Sequence, residues 1–132
     1  MSYTYVADAA RRIVTVTVNG PLTMEAVLAA IDRQAAEGHW ACGVLNDLRE
    51  ATGAVDSAGI RMLIGHVTRL TALHGTRGAV AIVSLEDAQF GMGRMYGSLG
   101  ESALSFPIGV FRDIGAAERW LAERVPRPPD PV

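Results

Sequence analysis

Gly43-Val44-Leu45-Asn46-Asp47-Leu48-Arg49 and, a loop later, Asp56-Ser57-Ala58-Gly59-Ile60-Arg61-Met62-Leu63-Ile64-Gly65-His66-Val67-Thr68-Arg69-Leu70 decide how this chain folds. The first segment reads as a buried strand, the second as the longest amphipathic helix in the protein. Ile60, Leu63, Ile64, Val67 and Leu70 recur at helical spacing and make one apolar stripe. Asp56 or Ser57 can cap the first turn, since either side-chain oxygen can accept an orphan backbone N–H. A strand beside this strand and a helix beside this helix then account for the rest.

Upstream, residues 2–8 and 12–18 both alternate, with Tyr3, Tyr5 and Ala7 opposed to Thr4 and Val6, and Val14, Val16 and Val18 opposed to Ile13, Thr15 and Thr17. The short link between them predicts an antiparallel hairpin. Asn19-Gly20-Pro21 breaks the second strand and Thr23 is placed as a helix N-cap. Val27, Leu28, Ile31 and Ala35 form the stripe of a first helix that stops at Gly38. Downstream, Gly75 ends the long helix and residues 79–83 are continuously apolar, as in a strand covered on both faces. Ser84 with Asp87 resembles a capping box, opening a third helix to about Leu99. A fifth strand follows at 107–111, and Asp113 caps a last helix with Ala117, Trp120 and Leu121 inward. The order is β-β-α-β-α-β-α-β-α. It predicts an α/β mixed five-stranded sheet with an N-terminal antiparallel hairpin near one edge and parallel later strands, covered by helices. Residues 79–83 and 44–46 should be its most buried strands. Residues 1–125 read as a single domain and the Pro-rich tail 126–132 as disordered.

With 132 residues, 49% hydrophobic and 20% charged, the chain can build one core without staples. No apolar run approaches bilayer length and the chain opens on a strand pattern, so the expectation is a cytoplasmic protein without membrane insertion. The lone Cys42 excludes an internal disulfide. All twelve basic residues are arginines, scattered singly, and the net charge is −2, which argues against nucleic acid and anionic membrane as partners.

The order and one segment resemble the STAS domain of anti-sigma-factor antagonists and sulfate transporters. Val44-Leu45-Asn46 ends a strand, and Asp56-Ser57-Ala58-Gly59-Ile60 opens a helix where that family has Asp-Ser-Ser-Gly-Leu. Asn46-Asp47-Leu48-Arg49, Phe90-Gly91-Met92-Gly93-Arg94-Met95-Tyr96, Val110-Phe111-Arg112-Asp113 and Glu118-Arg119-Trp120-Leu121 look like the SpoIIAA-like, STAS/SEC14 bacterial proteins of unknown function. The resemblance covers essentially the whole chain and implies that fold, with a partner-binding surface. In the anti-sigma antagonists a partner kinase phosphorylates the second serine. That position is Ala58 here, which has no hydroxyl, and Ser57 matches the first serine. The stretch from Asn46 to Asp56 reads as a longer loop than in those regulators.

Chemistry is harder to find. Ser57, His66 and Asp47 are the residue types of a hydrolase triad, but Ser57 and His66 would stand ~13 Å apart on one helix. No Gly-x-Ser-x-Gly turn is present. Cys42 beside His39 reads as a small hydrophobe. The three histidines lack partners at ligand spacing, so no metal and no cofactor is expected. Gly91, Gly93 and Gly97 do not fit a dinucleotide fingerprint. They serve either close packing or a helix that adapts to a partner. Asp47 and Arg49, with Arg94, could line a polar mouth at the end of the central strand, though an ion pair fastening the loop is the preferred reading.

The expectation is a non-enzymatic regulatory or scaffolding module. It would act through a protein partner or a second copy, as in a dimer, without the phosphoserine switch. The alternative is a SEC14-like binder of a small apolar or amphipathic ligand, suggested by Phe90, Met92, Met95 and Tyr96; a small hydrolase stands third. The residues assigned to the ligand or partner surface are Asp47, Arg49, Ser57, Phe90, Met92, Gly93, Arg94, Met95 and Tyr96. On this view Gly93→Ala should leave stability unchanged or raised.

Overall fold

Asp8 closes the first turn by accepting the Arg11 N–H at 3.1 Å, and Arg12 takes a positive φ of 56° to bring the chain back. The hairpin it makes joins β1 (Tyr3–Asp8) to β2 (Ile13–Pro21) antiparallel. The computed structural model describes residues 3–100 and 103–125, so the segment expected to be disordered, 126–132, lies outside the described residues. The remaining elements are α1 (Met24–Ala36), β3 (Gly43–Thr52), α2 (Ser57–His74), β4 (Val80–Val83), α3 (Asp87–Gly100), β5 (Ile108–Phe111) and α4 (Ile114–Ala122).

Sheet order is β1-β2-β3-β4-β5, with every pair from β2 onward parallel. Each crossover therefore steps in the same direction along the sheet. Right-handed crossovers that always step one way put their helices on one face. So α1, α2 and α3 share a face, and α4, which follows the last strand, folds back over the other. Strand alternation divides the side chains accordingly. Val14, Val16, Val44, Leu48, Val80 and Ile82 meet the three helices, whereas Ile13, Leu45, Ala81 and Val83 meet Ala117 and Leu121 of α4. Every residue of β4 is buried, as are Val44 and Leu45, in line with the apolar runs there.

Capping follows the sequence at Thr23 and Asp113, which accept the Ala26 and Ala116 N–H groups. At α2 the cap is Asp56, whose Oδ1 accepts the Gly59 N–H at 2.9 Å. Ser57 is the first helical residue and exposed. Ser84 departs from the capping-box expectation. Fully buried, its hydroxyl lies 2.9 Å from Gln89 Oε1, and the Gln89 amide donates to the Ala51 and Gly53 carbonyls. The stretch after Asn46, expected as a longer loop, is largely strand, because β3 runs on to Thr52 beside β2.

Candidate functional site

Valines supply most of the sheet floor beneath α1–α3, and alanines and a glycine supply much of the roof. Val14, Val16 and Val18 of β2 are short and stiff at χ1. Above them stand Ala26 and Ala30 of α1 and Gly93 of α3, which have nothing long to send down. The two surfaces do not meet, and a cavity of about 80 Å³ remains between them. Leu22, Ile31, Ile60 and Leu63 line its sides with Met92, whose sulfur also accepts the Val55 N–H at 3.3 Å. An interior normally closes voids of this size, because each lining atom loses its dispersion partners.

One end of the cavity is polar. Arg77 and Tyr96 both line it, and both are about 5% exposed. The Arg77 guanidinium lies over the Trp40 ring at 4.9 Å and the Phe106 ring at 5.4 Å, a cation held between aromatic faces. Its Nε and Nη2 donate to Gln34 Oε1 at 3.0 and 2.8 Å. Gln34 is itself fixed by donating to the His39 carbonyl at 3.0 Å. No carboxylate pairs with Arg77 among the described residues. The Tyr96 hydroxyl is buried without a hydrogen-bond partner. Burial pushes the Arg77 guanidinium below its ordinary value and the Tyr96 phenol above its own, each opposed by the other's proximity. Arginine stays charged even so. The site therefore holds a desolvated positive charge and, beside it, a buried hydroxyl whose proton has no acceptor, facing a largely apolar hollow.

The residues expected to share a surface are divided by the sheet. Asp47 and Arg49 lie on the α4 face, where Arg49 Nε and Nη2 donate to Asp47 Oδ1 and Oδ2 at 2.9 and 2.8 Å. That pair holds the Asp47 carboxyl below the usual carboxylate range, against the opposing effect of its burial. The ion-pair reading holds. Arg94 is exposed on α3, across the sheet, so the polar mouth of Asp47, Arg49 and Arg94 does not form. Strand alternation sends Leu45, Asp47 and Arg49 of β3 away from the three-helix face, Arg49 coming near Glu118 of α4. Arg94 instead borders an open groove with Phe90, Gly97, Ser98, Ile108 and Val110. Met95 is exposed and Phe90 half-buried under the Arg112 guanidinium at 4.3 Å. Tyr96 is not a surface residue. It belongs to the inward stripe Gln89, Gly93, Tyr96, Gly100 and can reach only something inside the cavity. Gly93 packs on Val110 and Ile82, so its small size serves contact with the sheet. The triad does not assemble either, because His66 is paired with Asp32 at 2.6 Å and Asp47 is committed to Arg49 on the far face.

Gln34 and Arg77 were not among the expected residues. Gln34 was nevertheless visible as a polar residue at i+3 from Ile31, on the apolar stripe of its helix. Arg77 carried no comparable signal, since a lone arginine between Thr76 and Gly78 looks like any loop arginine. Among the described residues no group of His, Cys, Asp and Glu could hold a metal ion. No helix among them is long and apolar enough to cross a membrane.

No family model and no curated protein matches the chain. Solved structures do. An anti-sigma factor antagonist from Mycobacterium paratuberculosis matches at 17% identity and TM-score 0.55, over 91% of this chain and 94% of that one. An uncharacterised protein of the DUF3478 family from Shewanella loihica PV-4, with a SpoIIAA-like fold, matches at 18% identity and TM-score 0.55, over 90% and 91%. The likeness shows the fold alone, a SpoIIAA-like α/β architecture.

Proposed function

We propose that this chain is a non-enzymatic, STAS-like regulatory domain that works by binding, and that its ligand is a small, largely apolar molecule held between the sheet and α1–α3. The observation that carries this reading is the apolar cavity of about 80 Å³ lined by valines, alanines, Gly93 and Met92. Ligand sites are typically concave, apolar and furnished with a few convergent polar groups. Among the described residues no assembled nucleophile and base accompanies them, and His66 and Asp47 are committed to other partners, which favours binding over turnover. Native mass spectrometry of freshly purified protein should find a small molecule bound to part of the population. Val44→Ile, which adds one methylene to the floor, should lower that fraction while raising the melting temperature of the empty protein. Protein without adduct, and indifferent to Val44→Ile in both readouts, would sink the ligand reading.

A protein partner is the second reading, favoured by the likeness to an anti-sigma factor antagonist and by the exposed start of α2 at Ser57 and Ala58. On either reading the usual phosphoserine switch is absent, because its position is Ala58. Self-association into a dimer would use the same exposed surface.

A further inference from the structure

We propose that the cavity is a binding site for a short-chain monocarboxylate, with the carboxylate on Arg77 and Tyr96 and the alkyl tail over the valine floor. This rests on the reading that the cavity is the ligand site, and it names the chemistry of the occupant. Two independent observations meet at one end of the hollow. The first is a buried guanidinium with two N–H groups on Gln34 and no carboxylate partner among the described residues. A guanidinium carries five N–H donors in a planar fork that fits the two oxygens of a carboxylate. A buried charge without a counter-ion is strongly disfavoured, so something must compensate it. The aromatic faces of Trp40 and Phe106 do so in part, and they occupy its flanks. The second observation is the buried Tyr96 hydroxyl, a donor with nothing to donate to.

An anion between the two would accept from both. Apart from Gln34 and Asn46 the rest of the lining is apolar and carries no charge, which suits an alkyl group. Size limits the length. A cavity of ~150 Å³ accommodates benzene, so about 80 Å³ takes a ligand of only a few non-hydrogen atoms as it stands. Met92, half-buried and with three rotatable bonds, is the lining side chain best able to move and lengthen it. The fitting class, once Met92 moves aside, is therefore a short acid of roughly two to four carbons. A phosphate would satisfy Arg77 but leave the apolar part empty.

The test is titration of the isotope-labelled full chain with sodium butanoate, followed by amide NMR shifts, with butanamide, phosphate and chloride as parallel arms. Butanoate should shift amides around Arg77, Tyr96 and Val16 and saturate, with butanamide at least about tenfold weaker, since a charge-assisted pair is lost. Tyr96→Phe, which removes only an unpartnered hydroxyl and should fold normally, should weaken butanoate by roughly tenfold. Arg77→Met should abolish binding. Equal binding of butanamide would overturn the carboxylate proposal while leaving the cavity as a ligand site. Phosphate binding as tightly as butanoate would overturn the alkyl part. No saturable shift with either butanoate or butanamide would overturn both the proposal and the reading beneath it.

Discussion

Gly91 and Gly93 stand two residues apart on α3, and the same substitution meets opposite surroundings at each. A methyl group at Gly91 would have nothing within 4 Å, so alanine there gains helix propensity at no steric cost. Gly91→Ala should stabilise by about 0.5–1 kcal/mol. At Gly93 the added Cβ would stand 3.0 Å from one Val110 methyl and 3.4 Å from Ile82 Cδ1. Valine cannot swing aside, so Gly93→Ala should destabilise by about 1 kcal/mol, the reverse of the sequence expectation. Urea unfolding of both variants checks the contrast, and a gain at Gly93 would mean that the helix lifts freely from the sheet. Asp47 makes a prediction in pH. Its folded carboxyl titrates below its unfolded value because of Arg49. The stabilisation is therefore complete above the unfolded carboxylate range and disappears as pH falls through the lower, folded value. Asp47→Asn should cost about 1 kcal/mol or less at pH 7, since Arg49 is partly exposed. The gap from wild type should stay constant down to about pH 4 and close below it. Unfolding at several pH values checks this, and a gap that widens on acidification would contradict the pairing.

Elements were easier to read than the side chains they deliver. Continuous apolarity at 79–83, the stripe on α2 and the caps at Thr23 and Asp113 each depend on near neighbours in the chain, and each appears where expected. The failures involve partners distant in sequence. Ser84 looked like a cap because Asp87 follows it, yet its hydroxyl donates to Gln89 Oε1 and the Glu86 carbonyl instead. Asp47 and Arg94 looked like neighbours until alternation on β3 placed the sheet between them. Arg77 has no local signature, because its partners Gln34, Trp40 and Phe106 come from three separate stretches. The start of α2 supplies a further prediction. Asp56 takes the capping role, so the Ser57 hydroxyl is not engaged by it, and only the Ala58 substitution speaks against a switch. Incubation with cell extract and ATP, followed by peptide mapping, should find no stoichiometric phosphate on this segment. Phosphate on Ser57 would restore the antagonist-type mechanism.

At the scale of the whole molecule, stepping one way from β2 to β5 has a cost in layering. Three helices crowd one face while α4 alone serves the other, and the apolar cavity lies beneath the crowded side. The strand order was legible as far as the hairpin and the parallel run, because crossover handedness leaves few alternatives. How fully three helices fill the space over five strands depends on side-chain volumes wherever helix and sheet meet, which no local pattern encodes. The same one-way sheet also leaves β3 longer than its neighbour. β4 pairs with it only as far as Asp47 opposite Val83, while β3 continues to Thr52. The last residues of the central strand thus have β2 on one side and no strand on the other. Such a rim would template a foreign strand. The Gln89 amide, delivered by α3 to the Ala51 and Gly53 carbonyls, occupies those acceptors as an adjoining strand would. One side chain thereby blunts the internal edge, and its loss would open the middle of the sheet to self-recruitment.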